Sequence, residues 1–183
     1  MIKEIESRNH PQSFLDTGSI HNDLLAVIDL VYIPFKLICS QPVFDAESIE
    51  YGACDFKLNQ HAVKFRVAKI TPTKIGQFVT LWKRSASGPI QPYDISDPID
   101  LYIISTRKGN HFGQFVFPKS ELCKQGVLSI NGKGGKRAMR VYPPWDKVVS
   151  KQAQNTQNWQ IKYFLEIPEN KKVEVAMLEK LYR

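Results

Sequence analysis

Between Lys57 and Arg84 the sequence has no aspartate and no glutamate. A surface that neutralises itself mixes both signs, so this stretch is not one by its own composition. Cysteine is also scarce. Cys39, Cys54 and Cys123 are three, widely spaced and without a CxxC pair, which leaves a zinc ribbon without ligands and suits reduced, buried thiols. His10, His21, His61 and His111 are scattered, with no HxH or HExxH spacing, so histidine offers no metal site. The GxSxG elbow of serine hydrolases is missing, and so is the GxxxxGK(S/T) spacing of a triphosphate-binding loop. No apolar run approaches the length of a membrane-spanning helix. The opening residues Met1–His10 are polar and of mixed charge, unlike a signal peptide. These absences predict a soluble, cytoplasmic protein with no membrane partner.

What is present is cationic and aromatic. The acid-free stretch carries Lys57, Lys64, Arg66, Lys69, Lys74, Lys83 and Arg84, interleaved with Phe56, Phe65, Phe78 and Trp82. Cations neutralise phosphates and aromatic rings stack on bases, so the mixture points to nucleic acid. The wider distribution agrees. Residues 1–55 hold three basic and nine acidic side chains, whereas residues 56–145 hold fifteen basic and four acidic ones. The middle of the chain is the candidate binding region, within a formal net charge of +7. The 183 residues, 43% of them hydrophobic, are enough for one domain with a substantial core.

Periodicity organises the chain. Leu24, Val27, Ile28 and Val31 recur at helical spacing, predicting a helix over 22–32 with Asn22 as cap and Pro34 limiting its far end. Residues 51–58 and 62–70 read as a hairpin turning at Asn59-Gln60. Thr71-Pro72 reads as a helix start, with Ile75, Phe78, Val79 and Trp82 at helical spacing, which predicts a helix over 72–84. Residues 85–98 read as a loop, and 99–105 and 113–117 as short buried strands. A short helix is expected at 120–124, a strand pair at 127–130 and 138–142, and helices at 151–165 and 169–182. Strands in the middle with helices at both ends predict an α/β (α+β) layered fold: one domain with a central mixed sheet flanked by helices.

Three constellations carry possible chemistry. A helix starting at Thr71 would offer free N–H groups to a phosphate, beside Arg66, Lys69, Thr73 and Lys74. The glycine-rich loop 131–137 would bring Lys133, Lys136 and Arg137 to a polymer as a basic hairpin. Glu50, Asp55 and Asp100 are the acids from which a metal-dependent nuclease would be built around Mg²⁺, with Lys69 beside the attacked phosphate. Pairing Leu58 with Val63 would set Asp55 opposite Arg66. The position two before Lys69 is Val67, however, so the usual acid-x-lysine element is absent, and an ion pair from Asp55 to Arg66 or Lys64 is the plainer expectation. The amides of Gln152, Gln154, Gln157 and Gln160 are read as the decoration of a solvated helix.

Longer blocks suggest a family. The run from Phe65-Arg66-Val67-Ala68-Lys69-Ile70-Thr71-Pro72-Thr73-Lys74 through Phe78-Val79, then Trp82-Lys83-Arg84, resembles the MepB family. Gly113 to Lys119, Gly135-Lys136-Arg137-Ala138, Arg140 to Trp145 and Gln157 to Gln160 with Tyr163-Phe164 are similar as well. The likeness spans roughly residues 20–165. It implies a small bacterial cytosolic protein, in some genomes encoded beside a multidrug efflux pump and its repressor, with a restriction-endonuclease-like core. Carried over by position, it points to Arg66, Lys69 and Lys74, and to Lys136, Arg137 and Arg140. The expectation is sequence-tolerant phosphate-backbone binding through Lys64, Arg66, Lys69, Thr71, Thr73, Lys74, Lys83, Arg84, Lys133, Lys136, Arg137 and Arg140, with no cofactor. The alternatives are a Mg²⁺-dependent nuclease, and a protein- or small-molecule-binding module of a resistance operon.

Overall fold

The structure, a computed structural model, describes residues 20–84, 88–168 and 172–182. The opening segment with His10 lies outside them, as do residues 85–87 of the predicted loop and 169–171 at the start of the predicted last helix. In chain order the elements begin with α1 (Asn22–Val27), β1 (Val43–Phe44), β2 (Cys54–Leu58), β3 (His61–Val67), β4 (Lys69–Thr71) and β5 (Lys74–Thr80). Next come β6 (Trp82–Arg84), β7 (Ile90–Pro92), β8 (Leu101–Lys108), β9 (His111–Pro118) and α2 (Lys119–Lys124). Last are β10 (Ala138–Val141), α3 (Lys151–Gln160), β11 (Phe164–Glu166) and α4 (Val175–Tyr182).

Six strands form the main sheet in the order β1-β2-β3-β8-β9-β11. β3 and β8 run parallel and the other neighbours antiparallel, so the sheet is mixed and the fold α+β. β8 sits in the interior and reads as an almost unbroken buried run from Leu101 to Thr106, as a strand covered on both faces must. One face holds Val63, Phe65, Ile103 and Val116 against Leu24, Val27 and Val31 of the first helical segment and Leu178, Leu181 and Tyr182 of α4. The other holds Tyr102, Ile104, Phe115 and Phe117 against a three-stranded sheet in the order β10-β5-β4, which buries Val79 and Val141. Trp159 of α3 closes that side, its ring 5.2 Å from Phe117. Among the described residues no helix is long and apolar enough to cross a membrane.

The first helix is capped by the His21 imidazole rather than Asn22: Nδ1 accepts from the Asp23 N–H at 3.1 Å. It continues from Ile28 to Tyr32 as a π-helical turn. The helix expected over 72–84 is instead β5 and β6. Pro72 and Thr73 form the two-residue turn between β4 and β5, where proline's fixed φ serves a reverse turn as readily as a helix start. Gln77 and Val79 point inward while Phe78 and Thr80 are half-exposed, a period of two rather than 3.6. The hairpin β2–β3 pairs Leu58 with His61, so Asp55 faces Lys64, not Arg66. Residues 127–130 make only isolated bridges, and β10 pairs with β5 instead. The helix expected to reach 165 ends at Gln160, and Phe164–Glu166 joins the main sheet as β11.

Candidate nucleic-acid interface

The acid-free stretch does not remain free of acids in space. Arg66 is 1% exposed; its Nη2 donates to Asp45 Oδ2 at 3.0 Å and to the Tyr93 hydroxyl at 3.2 Å, and its Nη1 donates to the Phe65 carbonyl at 2.8 Å. Lys64 Nζ meets Asp55 Oδ2 at 2.5 Å and Lys83 bonds Asp97, both from side chains more than two-thirds covered. All three of these cations are held by carboxylates. They lie under or along a cleft between the main sheet and the β6–β7 hairpin, lined by Asp45, Glu47, Asp55 and Asp97 as well as by Lys64, Lys83 and Arg84. Acid and base alternate there, so the cleft carries no cationic excess.

Lys69 and Arg84 are paired differently. Lys69 Nζ lies 2.7 Å from Glu50 and Arg84 Nε 2.9 Å from Glu47, but all four side chains are at least a third exposed. Pairs of this kind contribute little and a phosphate can displace them. Among the described residues no carboxylate pairs with Lys74, Lys133, Lys136 or Arg137, and all four are exposed. Arg140 is held in place: Nη2 donates to Thr71 Oγ1 at 2.8 Å and Nη1 to the Gly76 carbonyl at 3.1 Å. Thr71 therefore serves as an arginine anchor on a strand, not as a helix cap, and no helix terminus faces a phosphate here. Thr73 stays exposed in the turn.

The small sheet brings part of the predicted set together. Lys69 pairs with Phe78 on one side and Arg140 pairs with Phe78 on the other. Residues directly opposite on neighbouring strands share a face, so these three form one row across β4, β5 and β10. Their face is the outer one, because Gln77, Val79 and Val141 are buried beneath. The Arg140 guanidinium lies 5.9 Å from the Phe78 ring centre, and Lys69 Nζ lies 4.3 Å from the centre of the Tyr51 ring. Tyr142 lies over Gly76, whose φ of +83° and lack of a side chain admit the ring: a Cβ there would stand 2.6 Å from it.

The loop 131–137 joins the start of β10, where the Leu81 N–H donates to the Arg137 carbonyl at 2.8 Å. It is anchored rather than loose. The Asp94 carboxylate accepts from Gly132 N–H at 2.9 Å, Ser129 Oγ at 2.7 Å and Ser96 N–H at 3.0 Å. Those donors, the Gly132 amide foremost, hold the Asp94 carboxyl well below the usual carboxylate range. Asp94 was silent in the sequence because its partners Ser129 and Gly132 lie 35 and 38 residues away.

The acids named for a nuclease are spread over separate pairs. Glu50 is tied to Lys69, Asp55 to Lys64, and Asp100 Oδ2 accepts from the Ala62 N–H at 2.8 Å. Among the described residues no group of three or more histidine, cysteine, aspartate or glutamate side chains is placed to hold a metal ion. The arrangement does not fit Mg²⁺. Sequence reasoning also missed the amides of α3. Gln160 is fully buried, accepts from the Tyr142 N–H and donates to the Arg140 carbonyl, so it clamps the end of β10; Gln157 donates to the Pro143 and Asp146 carbonyls.

A family model described as MepB-like matches residues 45–166. The chain belongs to the MepB-like family. The crystal structure of MepB superposes with a TM-score of 0.69 at 32% sequence identity, covering 84% of this chain and 100% of that one. No curated protein matches the sequence. The small sheet and the 131–137 loop lie inside the matched region, whereas α1 and α4 lie outside it.

Proposed function

We propose that this MepB-like protein binds nucleic acid with little sequence preference through the outer face of its small sheet. One observation carries the proposal: Lys69, Phe78 and Arg140 are lateral neighbours on three adjacent strands, with the aromatic ring between two cations. A base stacks on the part of the half-buried Phe78 ring that solvent reaches, whatever its identity, and the flanking cations meet the phosphates on either side. Arg140 is braced by Thr71 and Gly76, so little conformational freedom is lost when it binds. Lys133, Lys136 and Arg137 add exposed, unpaired charge on the loop that leads into β10, which Asp94 holds in shape. The residues first expected to share this work, Lys64, Arg66 and Lys83, are committed to carboxylates and support the fold instead.

Fluorescence anisotropy with labelled single-stranded and duplex oligonucleotides tests this. Binding at low salt should weaken linearly in log affinity as log salt rises, with a slope near −0.7 per contacted phosphate for single strands. Three to five contacts predict a slope of about −2 to −3.5. No binding at low salt, or an affinity indifferent to salt, overturns the proposal.

A further inference from the structure

A second groove lies where the tip of the β4–β5 hairpin approaches the end of β8. It encloses about 480 Å³ and is walled by Thr73, Lys74, Gln77, Lys108, Trp145 and Lys147, among others. That volume is within the range of small-ligand sites and far exceeds what one phosphate fills.

Its electrostatics differ from those of the β6–β7 cleft. Lys108 Nζ lies 2.9 Å from Asp146 Oδ1, and the Asp146 side chain is 4% exposed, so that acid is committed to a single lysine. Lys74 and Lys147 are exposed, and no carboxylate among the described residues pairs with either. The three lysines against one aspartate leave two positive charges in the groove. A terminal phosphate carries about −1.5 to −2 at neutral pH, whereas an internal phosphodiester carries one charge. The wall also holds unspent hydrogen-bonding capacity. Gln77 is 1% exposed and its Oε1 has no partner; Trp145 Nε1 has none either. Buried polar atoms are nearly always satisfied, and both of these are shut off from solvent, so a ligand in the groove meets them only once one of the two side chains rotates.

We infer that this groove takes a nucleotide phosphomonoester, with the phosphate among Lys74, Lys108 and Lys147 and the nucleoside against the Gln77 and Trp145 wall. The chemistry is shared by a free mononucleotide and by the phosphorylated end of a strand. The strand-end case rests on the nucleic-acid reading above and says which part of the polymer the groove holds.

The test compares oligonucleotides ending in 5′-phosphate, 3′-phosphate or hydroxyl, and AMP and dAMP as free ligands, on the wild type and on a Lys74→Ala/Lys147→Ala double variant. Both lysines are exposed, so the variant should fold, which a thermal melt checks. A strand-end site predicts that one phosphorylated end binds about tenfold tighter than the hydroxyl end, and that the double variant removes this preference while hydroxyl-end binding persists. A free-nucleotide site predicts titratable AMP or dAMP binding that the double variant loses, with no preference among strand ends. If neither phosphate dependence is seen, the inference is overturned. Hydroxyl-ended strands that still bind then leave the sheet-face reading standing, and their failure to bind removes both.

Discussion

Arg66 separates the structural from the binding role of the cationic run. It lies in the block most suggestive of a ligand contact, yet only 1% of it is exposed. Consider Arg66→Met, which keeps a long flexible side chain and removes the charge. Three hydrogen bonds disappear, to Asp45, Tyr93 and the Phe65 carbonyl. Breaking a buried ion pair from one side costs about 3–5 kcal/mol. Two features reduce this. The Asp45 side chain is 28% exposed and regains water. Arg66 Nε has no partner in the wild type, and its removal returns about 1 kcal/mol or more. The net loss is about 2–3 kcal/mol, which for a chain of this size lowers the melting temperature by roughly 5–10 °C. Calorimetry reads that shift, and anisotropy at a temperature where both proteins are folded reads affinity, which should be unchanged. A tenfold loss of affinity with an unchanged melt would refute the reasoning and return Arg66 to the binding site.

Other expectations follow from single residues. Gly76→Ala should cost about 1–3 kcal/mol, because alanine is strained at a φ of +83° and its Cβ meets the Tyr142 ring; a melt indistinguishable from wild type would contradict this. Asp94 is held ionised in the folded state, so its contribution is present above its unfolded pKa, near 3.9, and is lost as pH falls below that value. Asp94→Asn should therefore speed amide exchange in residues 131–137 at neutral pH, and unchanged exchange would show that the carboxylate does not hold the loop. Burial pushes the Cys39 and Cys54 thiols up to about 12, leaving roughly a thousandfold less thiolate than at an ordinary site. Cys54, 1% exposed, should resist alkylation at pH 8 until urea unfolds the chain; its rapid labelling in the native protein would count against that burial.

Much of the main sheet was legible in the sequence, and the reason is local. β3, β8 and β9 are apolar or alternating runs bounded by turn residues, and α1 shows its helical spacing. β5 was misread because Phe78-Val79-Thr80-Leu81-Trp82 satisfies both periods, and Thr71-Pro72 marks a hairpin turn as well as a helix start. Only pairing with β10, some sixty residues later in the chain, decides between them. The cationic character of 57–84 was plain, but its partners were not. Asp45, Glu47, Glu50 and Asp97 come from outside the stretch and meet Arg66, Arg84, Lys69 and Lys83 only after folding. Charge counted along a chain therefore overstated the free charge at those positions.

The row on the small sheet is tested most directly by exchanging which cations are removed. One variant carries Lys69→Gln, Phe78→Leu and Arg140→Gln; the other carries Lys64→Gln and Lys83→Gln. Oligonucleotide affinity of both is measured at one fixed low salt, with a melt to confirm folding. The account predicts a loss of at least about a hundredfold in the first, since stacking alone contributes about 1–3 kcal/mol per base, and less than about threefold in the second. Equal losses, or a larger loss in the second, would contradict it.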